Sequence, residues 1–305
     1  GTINRIVPII FTLRRIAMKV INKFKQNKTV FSLEVFPPKK FTDSIDIVYE
    51  TLDKLTNINP DYISVTYSAG GGGNTEHSCK IASIIKSTHH VEPVAHLTCL
   101  TNDKNDIDKA IADFKAVGVE NILALRGDKN PDLTPKKDFT YASDLVSYIK
   151  SKYPEMGVSG ACYPEVHMES ENEIQDILNL KKKVDAGAEF LISQLFFDNS
   201  VFYRFVEKAR IAGINVPIEA GIMPVTSSKQ ILRMVDMCGA SLPRKFSMMM
   251  QKYGSNPEAM RDAGIAYAVD QIVDLIANGV EGIHLYTMNN PYVATKIAEN
   301  IKSLL

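Results

Sequence analysis

The sequence predicts a single (β/α)8 TIM barrel of the α/β class, with one inserted helix before its last unit. Three observations carry this. From residue 31 onward, short apolar runs alternate with stretches of helical spacing, eight times over, at about the 30-residue length of a βαβ unit. Four joints, "AVGVENIL", "DAGAEFLI", "IAGINVPI" and "ANGVEGIH", place Gly118, Gly187, Gly213 and Gly279 just before a strand. Glycine accepts the left-handed conformation that closes a helix. No G-x-G-x-x-G follows any strand, which leaves the doubly wound open sheet second.

The units can be read in order. "FSLEVFPP" (31–38) alternates, with Ser32, Glu34 and Phe36 on one face and Leu33 and Val35 on the other. Ile45, Val48, Leu52 and Leu55 then share a helix face. "YISVTYSA" (62–69) is the second strand; the glycine run after it lacks the G-K-[ST] ending of a Walker loop. "PVAHLTCL" (93–100) precedes a helix carrying Ile107, Ile111, Phe114 and Val117 on one side. The remaining strands are "NILALRGD" (121–128), "VSGACYPE" (158–165), "FLISQLFF" (190–197), "PIEAGIMPV" (217–225) and "GIHLYTMN" (282–289). "SLPRKFSMMMQKYG" (241–254) reads as the inserted helix, its methionines packing as adaptable core.

Residues 1–29 are read as a leader or arm and 30–305 as the barrel. The chain starts without Met, and natural synthesis is expected from Met18, the residues before it being an upstream addition. The apolar run Ile6–Leu13, broken by Pro8, is too short to span a membrane.

Composition narrows the function. With 45% hydrophobic and 23% charged residues the chain reads as a soluble globular protein. Lys+Arg and Asp+Glu balance at 35 each, which argues against nucleic acid as a partner. Cys79, Cys99, Cys162 and Cys238 are scattered, which suits a reduced cytoplasmic protein and argues against zinc or an iron–sulfur cluster within the chain.

Barrel enzymes work at the C-terminal ends of their strands. Polar residues stand there: Glu34, Tyr67, His96, Arg126, Asp128, Tyr163, Glu165, Gln194 and Tyr286. A partly desolvated Glu34 facing the barrel mouth suits a general acid; the alternative is a structural pair with an arginine such as Arg126. His96 and His167 on one rim suggest ligand contact, and Glu165 and Glu169 beside His167 raise a metal reading that is set aside. One of Lys181, Lys182 and Lys183 could reach an anionic group, although a solvated helix face is the plainer reading. Arg126-Gly127-Asp128 is also an adhesive tripeptide, but the apolar "ILAL" before it argues for a buried strand end.

Taken together, "SLEVFPPK", "ISVTYSAGG", "HLTC", "LALRGD", "YASDLV", "YPEVH", "LKKKVDAGAEFLISQLFFD", "GIMPV" and "LYTMN" resemble, in order, the 5,10-methylenetetrahydrofolate reductase family. The resemblance runs from about residue 30 to the C-terminus. It implies an FAD-dependent barrel in which NADH or NADPH reduces FAD and hydride then passes to methylenetetrahydrofolate, giving 5-methyltetrahydrofolate by ping-pong kinetics. This would serve one-carbon metabolism and methionine biosynthesis. By the same resemblance Glu34 is the general acid that opens the folate ring, and Asp128 is the charge beside the flavin. Gln194 and Tyr286 bind substrate. Thr66, His96, Leu125, Arg126, Gly127, Asp128, Tyr141, Ala142, Ala161, Tyr163, His167, Asp176, Asn179 and Lys182 contact FAD. Lys182 stands where some relatives have Arg, and Asn290 where some have a basic residue. The chain ends soon after the eighth helix, so no regulatory domain and no S-adenosylmethionine control are expected. A homo-oligomer, no metal and no membrane partner are expected. An electron-supplying partner protein and a flavin-free one-carbon transferase remain the alternatives.

Overall fold

A computed structural model describes residues 19–26, 28–38, 44–67, 75–129 and 134–305. The run Ile6–Leu13 and the glycines after the second strand lie outside the described residues. Eight strands, β1 (Val30–Val35), β2 (Tyr62–Val65), β3 (Glu92–Thr98), β4 (Asn121–Leu125), β5 (Gly157–Cys162), β6 (Phe190–Ser193), β7 (Ile218–Ile222) and β8 (Gly282–Tyr286), form one closed barrel in sequence order. Every neighbouring pair is parallel, and β8 closes on β1 with Ser32 opposite His284 and Glu34 opposite Tyr286. This is the TIM barrel the sequence predicts.

Between the strands run α1 (Asp46–Thr56), α2 (Glu76–Ser87), α3 (Lys104–Ala116), α4 (Ala142–Lys152), α5 (Glu173–Asp185), α6 (Asn199–Ile211), α7 (Ser228–Cys238), α8 (Arg244–Tyr253) and α9 (Pro257–Ala277), with α10 (Pro291–Ile301) last. Side chains on the outer face of the strands, such as Leu33, Val35, Ile63, Ala95 and Leu97, share a buried layer with Val48, Leu52, Ile81, Ile107 and Phe114 from the helices. The four predicted joints hold: Gly118, Gly187, Gly213 and Gly279 all have positive φ, between 78° and 119°.

Two features depart from the simple pattern. A 3-10 helix, Val20–Lys25, sits at the N-terminal ends of the strands. Val20 is fully buried among Val30, Tyr62, Val94 and Phe190, its N–H donates to Asn121 Oδ1 at 2.9 Å, and Phe24 packs on Phe190. Part of the stretch read as an arm therefore closes the barrel floor. The seventh unit carries the inserted helix read at 241–254, which is α8, and also α7, which the sequence reading passed over. Leu195, Phe197, Met223, Val225, Ile231, Phe246 and Met260 form a separate apolar cluster there, against which Tyr286 packs. Met248 is not core, being 57% exposed. Among the described residues, no helix is long and apolar enough to cross a membrane.

Candidate functional site

The strands stop short of the runs read from sequence, so the polar residues at their C-terminal ends fall in the connecting loops. Two adjoining groups of side chains result. One is a cleft of about 470 Å3 beside the ends of β4 and β5. Leu125, Arg126, Tyr141, Ala142, Ala161, Tyr163, His167, Asp176, Asn179 and Lys182 line it, so these expected cofactor positions are brought together. Such a volume is ordinary for a ligand site.

The cleft carries charge of both signs, Arg126, Lys182 and Lys183 with Glu169, Glu171 and Asp176. Arg126 projects from the loop after β4 and makes a bidentate pair with Glu169, at 2.8 and 2.9 Å. Lys129 also donates to Glu169. The Arg126 and Lys129 hydrogen bonds hold the Glu169 carboxyl down at about 2. Lys183 lines the cleft beside Lys182. Its Nζ donates to Ala161 O at 2.6 Å, and burial pushes its pKa below the usual lysine range. Its aliphatic stem passes so near Gly160 that a Cβ there would lie 2.6 Å from Lys183 Cδ. The fit of stem and glycine builds an ammonium group into the cleft floor.

Another part of the cleft is fixed by its own loop. Asp176, in the first turn of α5, accepts from His167 N and from Ser170 Oγ, at 3.2 and 2.6 Å. Glu169 N in turn donates to His167 Nδ1, and Tyr163 meets the His167 ring edge-on at 4.6 Å. Burial first, and then the nearby charge of Asp128, raise the Tyr163 phenol to about 12, so it remains a neutral donor. Tyr141 lines the cleft with 60% of its surface exposed. Glu165 binds Ser241 N–H instead of joining Glu169 around His167, so these carboxylates do not converge as metal ligands.

The second group lies at the barrel mouth. Glu34 is 6% exposed, and its Oε2 stands 3.4 Å from His96 Nε2 and 3.6 Å from His284 Nε2. The alternative pairing of Glu34 with Arg126 is therefore wrong: Arg126 follows β4 and turns to Glu169, whereas Glu34 faces the axis. Burial lowers the His96 pKa to about 4, with Glu34 opposing the shift and His284 adding to it; His96 is neutral at physiological pH. Tyr286 donates to Ser193 O at 2.8 Å, and Gln194, at the end of β6, accepts from Leu195 N through its own amide oxygen. Thr66 follows β2, its N–H bonded to Val35 O. Thr66, His96, Gly127 and Asp128 do not line the 470 Å3 cleft. Gly127 has φ +89° and turns the chain so that Asp128 is exposed at the rim.

Several participants escaped the sequence reading. Thr287 Oγ1 donates to Glu34 O, and Asn289 exchanges two hydrogen bonds with the Phe36 backbone, which ties the exits of β1 and β8 together. Asn290 caps α10 through Val293 N. His284, Ser32, Glu219 and Tyr62 form a polar chain one layer deeper. Their signal was present, as polar residues inside "SLE", "IEA" and "IHL", but attention to strand ends passed over them.

Comparison with known proteins assigns the chain. The family described as methylenetetrahydrofolate reductase matches residues 19–302. "Methylenetetrahydrofolate reductase (NADH) 1" of Arabidopsis thaliana is 36% identical over 93% of this chain and 51% of its own length. The Escherichia coli 5,10-methylenetetrahydrofolate reductase is 34% identical over 90% of this chain and 92% of its own. The chain thus spans about half the length of the plant relatives it matches and nearly all of the bacterial ones. Among solved structures, a Clostridium thermocellum protein that binds two copies of 5-methyl-5,6,7,8-tetrahydrofolic acid shares the fold. Its TM-score is 0.67 at 14% identity, over 94% of this chain and 100% of that one. With the barrel, the rim residues and a match across residues 19–302, the chain belongs to the methylenetetrahydrofolate reductase family.

Proposed function

We propose that the chain reduces 5,10-methylenetetrahydrofolate to 5-methyltetrahydrofolate, with NADH or NADPH as reductant and FAD held in the cleft. The observation that carries this is the coincidence of a cleft at the ends of β4 and β5, lined by Arg126, Lys182 and Lys183, with the buried Glu34 at the barrel mouth. The donor set fits a dinucleotide. Arg126, Lys182 and Lys183 offer positive charge for a pyrophosphate, and Tyr163 and the Ala161 and Leu125 backbone edges offer neutral contacts. FAD would supply the two-electron relay, taking hydride from the nicotinamide and giving it to the folate in turn.

The chain's own residues do the rest. Glu34, beside neutral His96, holds a proton at Oε2 for the folate nitrogen, so that the five-membered ring opens to an electrophilic iminium. Asp128 stands at the rim as a fixed negative charge toward the flavin. Tyr286, opposite Glu34 in register, and Gln194, just after β6, would orient the pterin and then the nicotinamide. The scattered cysteines suit cytoplasmic placement. The relatives' printed names favour NADH.

The test is FAD binding. Protein stripped of cofactor should take up one FAD per chain, turn yellow, and bleach under anaerobic NADH or NADPH. A colourless protein that cannot be reconstituted would overturn the reading.

A further inference from the structure

Beneath Glu34 the barrel interior carries a second carboxylate that the reaction above does not use. Glu219, on β7, is completely buried. A Cβ on Gly282 would sit 2.4 Å from Glu219 Cγ, so the glycine opposite in register makes the room this side chain occupies. Its Oε1 accepts from Ser32 Oγ at 3.0 Å, and Oε2 accepts from Tyr62 Oη. Ser32 Oγ lies 2.7 Å from His284 Nδ1, with a weaker contact of 3.4 Å to Ile283 O. His284 is fully buried, and its Nε2 has no hydrogen-bond partner; it faces Glu34 Oε2 at 3.6 Å. A movement of about 0.6 Å would make that last contact a hydrogen bond.

A lone carboxylate in such a place is costly, and an apolar side chain would fill the space without the cost. The proton inventory of this chain suggests what is gained. Each internal member, Ser32 and His284, can donate on one side while it accepts on the other. Two arrangements satisfy every link. In the first, Glu219 is ionised, Ser32 donates to it, His284 Nδ1–H donates to Ser32, and the bare Nε2 accepts from protonated Glu34. In the second, protonated Glu219 donates to Ser32, Ser32 donates to Nδ1, and Nε2–H donates to ionised Glu34.

We propose that Glu219 is a proton reservoir for Glu34, the two carboxyls sharing one proton through Ser32 and His284. The inference rests on Glu34 being the acid of the folate step. The shared proton rests on Glu219; for the folate step, and before Glu34 protonates the substrate nitrogen, Glu219 breaks its Oε1–H bond toward Ser32 Oγ. Ser32 passes its own proton to His284 Nδ1, and the Nε2 proton forms the new O–H bond on Glu34. Three bonds to hydrogen break and three form, no electrons are lost, and the negative charge moves from the mouth to the barrel floor. Solvent returns the proton through Glu34 once the product has left.

The surroundings favour a proton at this depth. Burial raises the Glu219 carboxyl to about 7, against the opposing effects of His284, Tyr62 and Ser32, while Asp61 adds to the rise. Around Glu34, the titratable groups facing it are His96 from β3 and His284 and Tyr286 from β8.

The experiment compares Glu219→Gln, Ser32→Ala and Glu34→Gln with wild type. Pre-reduced protein is mixed with methylenetetrahydrofolate, and 5-methyltetrahydrofolate formed in one turnover is followed from about pH 5.5 to 9. NADH oxidation by an artificial acceptor is the internal reference. Glu219→Gln and Ser32→Ala should both move the limb where the rate falls with rising pH to lower pH. The folate step should slow about tenfold near pH 8 and recover near pH 6. Ser32→Ala removes a single oxygen, so it carries the test if Glu219→Gln does not fold. Wild-type pH profiles in both variants, with Glu34→Gln inactive toward folate, would overturn the reservoir alone. Full folate reduction by Glu34→Gln would overturn the acid role and the reservoir together.

Discussion

At the scale of single residues, burial decides which charges this barrel can hold. Glu219 has an ordinary carboxyl value of 4.5 in the open chain and about 7 when folded, because it has left water. Between those pH values the unfolded chain ionises and the folded chain keeps its proton. The contribution of Glu219 to stability is therefore fully present below pH 4.5 and is lost as pH rises through 7. A displacement of that size corresponds to about 3 kcal/mol. Neutral, isosteric Glu219→Gln should gain on wild type by up to that amount between about pH 4 and pH 9. Urea unfolding at the two pH values reads the difference, and an equal difference at both would contradict it. Lys183 gives a second prediction. Lys183→Met keeps the stem over Gly160 and removes the ammonium group. It should weaken FAD binding by about tenfold or more, since a hydrogen bond to a charged group contributes about 1.5–3 kcal/mol. Unchanged affinity in a fluorescence titration would place the lysine outside the cofactor contacts. The residues alone gave no reason to choose among three successive lysines, and the family resemblance pointed to Lys182. Only the helix phase and the glycine beneath Lys183 single it out.

At the scale of elements, the repeating strand–helix rhythm was legible because each unit carries its own period and its own closing glycine. What the reading passed over was a further helix in the seventh unit. Ser228–Cys238 ends on Gly239 at φ +69°, the same joint used elsewhere, so locally it looks like the barrel helix of unit seven. The 21-residue α9 takes that place, and α7 and α8 pack instead on Leu195, Phe197, Met223 and Val225 after β6 and β7. Strand ends were overestimated for a related reason: "LRGD" and "YPE" continue the chain's direction after the ladder hydrogen bonds have stopped. The floor helix Val20–Lys25 was missed because it precedes the rhythm and is too short to show a period. Its role can be checked through Phe24→Ala, which removes the ring packed at a tilt against Phe190. A loss of about 2 kcal/mol is expected for a partly exposed aromatic of this kind. An unchanged Tm would show that the segment does not brace the barrel.

At the scale of the whole molecule, the closed ring turns residues far apart in sequence into one site. Glu34 and Tyr286 are neighbours in register only because β8 pairs with β1. The cleft exists only because β4, β5 and α5 stand side by side. The fold rule that active groups lie at strand ends made most of the rim legible. It left out Ser32, His284 and Glu219, which lie one layer lower and meet only through register. The central claim joins the two halves: a redox cofactor in the cleft and a proton donor at the mouth. The most direct measurement separates them in Glu34→Gln, by anaerobic stopped-flow of flavin absorbance. Reduction by NADH should proceed near the wild-type rate, and reoxidation by methylenetetrahydrofolate should fall by about a hundredfold or more. Reoxidation at the wild-type rate would show that the proton comes from elsewhere and would contradict the account.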